Sequence, residues 1–306
     1  MVLSVNISKL VLKNPVMTAS GTFGYAEEFS GFIDISKLGA IVCKGISLKP
    51  MEGNPPPRIY ETPCGMLNSI GLQNIGIDNF LNEKLSKLKK YSTKIIVNIL
   101  GNTIDEYVEL AKRLEDSGVD GIELNVSCPN VKKGGLLFGS DKKILSRLIQ
   151  SVRRVVKNAI LITKLPPDIF HIKDLAKIAE DYGSDAVTLV NTVPAMAIDI
   201  CTRRPQLSNI IGGLSGPAIK PIAVKIVWDV SKVVKIPIIG VGGILNYKDA
   251  VEYLLAGATA IQVGTANFLN PGVTIEVIEG IKTYMRENKV KDVKDLIGAV
   301  QCKVDK

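Results

Sequence analysis

The stretch IPIIGVGGILNYKDAVEYLLAGATAIQVGTANF, residues 236–268, holds two short apolar runs, IPIIGVGG and AIQVGT, with a helical pattern, YKDAVEYLLAGA, between them. Each run ends in a glycine loop and opens onto a helix. Strand, glycine loop, helix and strand is the unit of a parallel sheet, because parallel neighbours need a crossover of helix length. Upstream, six more runs of the same kind follow one another: NPVMTAS, GAIVCKG, KIIVNIL, GIELNVS, AILITKL and DAVTLVN. Helical patterns such as IDEYVELAKRLEDSG separate most of them. Eight such units, with no linker or low-complexity segment, predict an α/β protein built as a single (β/α)8 TIM barrel domain over residues 1–306. Three connections exceed a plain strand-to-helix turn: 46–78, 127–141 and 192–220. All leave the C-terminal ends of strands, the face on which barrels carry their sites, and are expected to cover a ligand there.

The totals narrow the function classes. The 306 residues are 46% hydrophobic and 22% charged, with no apolar run long enough to span a bilayer. The opening MVLSVNISKLVLKNPV alternates like a strand pair and has no signal-peptide pattern, so a cytoplasmic protein without membrane contact is expected. A formal charge of +8 comes from lysines spread along helices, as in KLSKLKK and VRRVVK, with 5% aromatic residues and none interleaved. That reads as a lysine-rich surface, not a nucleic-acid site. The five cysteines, at 43, 64, 128, 201 and 302, never occur in CxxC spacing, which argues against disulfides, zinc or a cluster held by this chain; no metal site is expected. The single histidine, His171, lies in DIFHIKD, where a helix-start or surface role fits, and histidine triads are excluded.

The last residues of the strands form the candidate site: Ala19, Ser20 and Gly21; Lys44; Asn98; Asn125; Lys164; Asn191 and Thr192; Gly242 and Gly243; Gly264 and Thr265. Two lysines and three asparagines in a dry site are expected to face a polar ligand in preference to each other. GVGGI and VGTANF each lead into a helix, so their backbone amides would converge on an anion at two helix N-termini, as in the phosphate sites of many barrels. A carboxamide offers a donor and an acceptor together, which matches a ring with adjacent N–H and C=O groups, such as a pyrimidine or a flavin. Lys44 adds a positive charge for a carboxylate or a developing negative charge. Cys43 alternates away from Lys44 toward the helices and reads as core. Cys64 reads as a buried loop residue, and Cys201 and Cys302 have no motif around them. Cys128, in ELNVSCPNVKKGG (123–135), stands in a loop over the strand ends, and its role is open among nucleophile, base and packing residue.

The runs NPPPRIYETPCGMLNSIGLQN, NVSCPNVKKGG, ITKL, VNTVPAMAID followed by GGLSGPAIKPIA, and the closing GVGGI and VGTANF resemble the catalytic subunit of class 1 dihydroorotate dehydrogenases, most closely class 1B. The resemblance covers almost the whole chain. It implies an FMN-bearing barrel that oxidises dihydroorotate to orotate in pyrimidine biosynthesis. FMN would contact Ala19, Ser20, Gly21, Lys44, Asn98, Asn125 and Lys164, with its phosphate near Gly216, Gly242, Gly243, Gly264 and Thr265. Substrate would be held by Lys44, Asn68, Ile70, Gly71, Leu72, Asn125, Asn130, Asn191 and Thr192. Cys128 answers to the family's base, and Lys164 is the second catalytic residue. The resemblance further implies a homodimer core and a heterotetramer with an electron-transfer subunit carrying FAD and a 2Fe-2S cluster, which passes electrons to NAD⁺. Two departures stand out: KLPPDIFHI after the fifth strand, and Ala195 where glycine is common.

Three rivals are weighed against this reading. A tRNA dihydrouridine synthase shares a Cys-Pro loop but has a helical RNA-binding domain and lacks the 54–74 insertion. A dihydropyrimidine dehydrogenase-type reductase shares the NxSCPN-like loop, yet Lys44 favours a carboxylated substrate. A non-catalytic flavin-binding scaffold would have no need of Cys128 and Lys164.

Overall fold

In a computed structural model that describes residues 1–127, 138–139 and 141–302, the eight expected runs form eight parallel strands. They are Val16–Thr18, Ala40–Ile46, Lys94–Ile99, Gly121–Asn125, Ile160–Lys164, Ala186–Leu189, Ile238–Val241 and Ala260–Val263. Each pairs with its neighbours in chain order, and the eighth pairs with the first, so the sheet closes. Closure leaves no edge strand to protect. Nearly every residue of these strands is buried, because one face packs inside the barrel and the other against the helices.

The outer helices form for a reason visible in their spacing. Tyr107, Leu110, Ala111 and Leu114 are the buried stripe of Ile104–Ser117; Leu145, Leu148, Ile149 and Val152 that of Lys142–Val155. The same i, i+3, i+4, i+7 pattern recurs in Ile172–Asp181 and in Lys220–Ser231. Thr103 accepts from the Glu106 amide at the start of the first of these helices, and Gly118, left-handed at φ 73°, ends it.

Both ends of the barrel are covered. The opening residues pair as Val5–Ile7 with Leu10–Leu12, burying Val5, Ile7 and Leu12. Lys9 donates to the Lys157 carbonyl at 2.6 Å, so this hairpin lies under the N-terminal ends of the strands. At the other end, the long connections after the second and sixth strands are not simple loops. They share a four-stranded antiparallel sheet in the order Val193–Ala195, Gly212–Ser215, Gly65–Asn68, Ile59–Thr62. Cys64, expected to be buried, is exposed instead, because it sits in the tight turn between Ile59–Thr62, at the edge of that sheet, and Gly65–Asn68. Cys43 is fully buried, and burial pushes its thiol up to about 12. His171 precedes the helix Ile172–Asp181 at the surface, 2.9 Å from Asp168.

Candidate functional site

Between the strand ends and the antiparallel sheet lies a cavity of about 730 Å³. All the expected site residues within the described part of the chain line it, from Ala19, Ser20 and Gly21 on the first strand's end to Gly264 and Thr265 on the last. The antiparallel sheet contributes Asn68, and the segment after it Ile70, Gly71 and Leu72. Cys128 and Asn130 lie outside the described residues.

The asparagines are not alike, and the expectation that they face a ligand and not one another needs correction. Asn191 donates its amide to Asn125 Oδ1 at 3.1 Å, and its own Oδ1 accepts the Thr192 amide at 2.8 Å. Asn98, 1% exposed, donates to Glu123 Oε1 at 2.8 Å. Asn68 donates to the Gly213 carbonyl at 3.2 Å, which ties the second-strand insertion to the sixth-strand insertion. These bonds set which end of each carboxamide is committed to the protein. Asn98 Oδ1 lies toward Gly45, where an added Cβ would stand 2.9 Å from it; a glycine there keeps the space beside the amide.

Lys44 behaves differently. Its ammonium has no hydrogen bond or ion pair among the described residues, although it is half-buried on the cavity wall. Burial first, and then the nearby Arg58 guanidinium, hold its pKa below the usual lysine range, with Glu28 opposing. A cation left unpaired in a partly dry wall is a ready partner for an anionic ligand. Lys164, 5% exposed, is held by Ser20 Oγ at 3.3 Å and Gln262 Oε1 at 3.5 Å, with Glu123 Oε1 4.0 Å away.

Glu123, Gln262, Thr188 and Arg58 escaped the sequence reading. The signal was there for two of them. Glu123 is two residues before Asn125, and Gln262 two before Gly264, so each shares the inward face of its strand with a site residue. A charged or amide side chain in the middle of a barrel strand, where branched apolar residues dominate, marks an interior that is not purely hydrophobic.

The glycine loops match the expected phosphate cradle only in part. The helix Tyr247–Ala256 does not offer its N-terminus: Asn246 and Asp249 close it with a capping box, contrary to the expectation of two converging helix ends. The amides of Gly243, Ile244, Thr265 and Ala266, however, donate to no acceptor among the described residues. Gly243 has φ 68°, and a Cβ there would fall 2.8 Å from the Gly216 carbonyl and 2.7 Å from Lys220 Cβ. Thr265 Oγ1 bonds Ser215 Oγ at 2.8 Å, bringing the eighth strand's loop against the antiparallel sheet. Four unpaired amides on one side of the cavity wall suit one phosphate. With Lys164 and the carboxamides farther along the cavity, the residues present fit a flavin mononucleotide.

Comparison with known proteins agrees with this geometry. The family model described as dihydroorotate dehydrogenase matches residues 2–285. The chain is 54% identical over 299 residues to the dihydroorotate dehydrogenase B (NAD⁺) catalytic subunit of Thermoanaerobacter sp. (strain X514), covering 98% of this chain and 99% of that one. It is 55% identical to the protein of the same name from Thermodesulfovibrio yellowstonii, covering 97% of this chain and 98% of that one. Among solved structures, a dihydroorotate dehydrogenase from Eimeria tenella, crystallised with ferulenol, superposes with a TM-score of 0.79 at 26% identity, over 97% of this chain and 88% of the other. The chain therefore belongs to the dihydroorotate dehydrogenase family of flavin-dependent oxidoreductases.

Proposed function

We propose that this chain oxidises dihydroorotate to orotate, with FMN as the resident flavin and Cys128 as the base. The observation that carries the reading is the unpaired Lys44 ammonium on the wall of a cavity whose seventh- and eighth-strand end carries four unpaired backbone amides. One end suits the substrate carboxylate and the other the cofactor phosphate. Bound FMN supplies the two-electron acceptor for the hydride that leaves the substrate's C6.

The chain's own residues do the rest. Lys44 opposes the orotate carboxylate, and Asn68, Asn125, Asn130, Asn191 and Thr192 offer donors and acceptors to the ring amides, with Ile70, Gly71 and Leu72 shaping the pocket around it. Asn74 pins that last segment: its Nδ2 donates to the Leu72 carbonyl at 2.8 Å and its Oδ1 accepts the Gly76 amide at 2.8 Å. Leu72 can then keep its left-handed φ of 62°. Cys128 takes the C5 proton as a thiolate and returns it to solvent. Lys164 would supply a positive charge that stabilises the bound flavin's reduced form.

The relatives are catalytic subunits by name, and this chain is read the same way. Its partner would be an electron-transfer subunit carrying FAD and a 2Fe-2S cluster and delivering electrons to NAD⁺, docked on a homodimer of this chain. No helix among the described residues is long and apolar enough to cross a membrane, in keeping with a cytoplasmic place.

Anaerobic addition of dihydroorotate to the purified, flavin-loaded chain tests the reading. The flavin absorbance band should bleach, and orotate should appear in equal amount. An unbleached band with dihydroorotate, in a protein shown to hold FMN, overturns it.

A further inference from the structure

Beneath the cavity floor, inside the barrel, lies a carboxylate that the reaction as described does not use. Glu123 is fully buried in the fourth strand. Its Oε1 accepts from Asn98 Nδ2 at 2.8 Å. Its Oε2 accepts from Thr188 Oγ1 at 2.8 Å and from Gln262 Nε2 at 2.8 Å. The Lys164 ammonium stands 4.0 Å from Oε1. Glu123, Thr188 and Gln262 do not line the cavity, whereas Asn98 and Lys164 do.

Both oxygens of Glu123 meet donors, which come from three different strands, and a fourth strand brings the Lys164 ammonium near; burying a carboxylate is costly unless it is paired and hydrogen-bonded. Because a carboxylate only accepts, both amides must turn their NH₂ groups toward it. Their carbonyl oxygens then point elsewhere: Asn98 Oδ1 toward Gly45 on the cavity wall, and Gln262 Oε1 toward Lys164 Nζ at 3.5 Å. One buried charge thereby decides which group two neighbours present.

We propose that Glu123 is a positioning residue that sets the electrostatics of the flavin site by fixing the Asn98 and Gln262 amides and by partly neutralising the Lys164 ammonium. The inference rests on the reading of the cavity as a flavin site. A glutamine at 123 keeps the volume but has one accepting oxygen and one donating NH₂. That NH₂ would face a donor, so Asn98 or Gln262 must turn or lose its bond. The Lys164 charge would also lose its counter-charge and act on the ring unopposed, favouring the reduced, negatively charged flavin.

The test compares wild type, Glu123→Gln and Glu123→Asp, each assayed for flavin content, thermal midpoint and flavin midpoint potential by anaerobic dye equilibration at neutral pH. Glu123→Gln should favour the reduced flavin by about tenfold or more, an upward shift of about 30 mV for a two-electron couple. Glu123→Asp, which keeps the charge, should recover most of the wild-type potential. A Glu123→Gln protein that is less heat-stable but has flavin at an unmoved potential overturns the proposal and leaves Glu123 a packing residue. Should Glu123→Gln not fold, Thr188→Val carries the test, since Thr188 touches Glu123 but not the cavity. A change of about threefold or more in its oxidised-to-reduced ratio supports the anchor, and an unmoved potential refutes it. Wild type that holds no flavin would instead overturn the reading of the cavity, a result distinguishable from either.

Discussion

Single substitutions at Lys44 and Cys128 isolate the roles proposed for them. With no ion-pair partner among the described residues, Lys44 gives its full charge to a ligand, so Lys44→Ala should weaken orotate binding at least about tenfold, the scale of one charge-assisted hydrogen bond. Titration of the flavin spectrum with orotate reads this, and an unchanged affinity in a flavin-loaded variant would contradict it. The pH dependence has a definite sign. In the proposed role the protonated ammonium would be the binding form, and burial together with Arg58 lowers its pKa, so orotate affinity should fall with rising pH before the ordinary lysine range is reached. Arg58→Gln should move that fall to higher pH. At Cys128, serine is nearly isosteric but far harder to ionise. Cys128→Ser should keep FMN and orotate while flavin reduction by dihydroorotate slows by about 10² to 10⁴ at neutral pH and recovers as pH rises. Equal stopped-flow rates in the two proteins would remove Cys128 from the mechanism.

The loop after the seventh strand shows how one short element divides its residues between ligand and fold. Gly243 needs its left-handed φ of 68°, and a side chain there would press on the Gly216 carbonyl. Gly243→Ala should therefore lose most of its bound FMN as well as stability. Asn246, three residues on, caps the helix Tyr247–Ala256 and lies outside the cavity wall. Asn246→Ala should cost about 1 kcal/mol in a denaturant titration and leave flavin content unchanged. If both variants kept FMN equally, the amides of this loop would not be the phosphate site. Asp249 closes the same cap from inside the helix, and Lys220 reaches it at 2.8 Å from the preceding helix.

At the scale of the molecule, the site exists only while the barrel is closed. The amide cradle belongs to the last two strands, the carboxamides and lysines to the second through sixth, and the roof to two insertions joined across the top. Flavin release and unfolding should therefore coincide in a thermal scan followed by flavin fluorescence and by far-UV circular dichroism. Free FMN at about 100 times its dissociation constant should add about 2.7 kcal/mol of stability. FAD should add no more than FMN, since the cavity offers one cradle for one phosphate. Flavin release well below the unfolding transition would show that the cradle can open without the barrel.

Strands and helices were legible in the sequence because their cause is local. The runs from NPVMTAS to AIQVGT are β-branched and bounded by turns, and the stripes at i, i+3, i+4 and i+7 dictate which face of each helix meets the barrel. The rim residues could be named as strand ends for the same reason. What needed the folded chain were partners supplied from afar. Asn68 meets the Gly213 carbonyl across 145 residues of sequence, so the antiparallel roof has no local signal, and the exposure of Cys64 follows from that roof's tight turn. Asn98 and Asn191 already have bonds within the protein, and Glu123 collects donors from the third, sixth and eighth strands. Residue type says that a buried amide or carboxylate must be satisfied; only barrel closure, which brings distant strands to one point on the axis, decides by what.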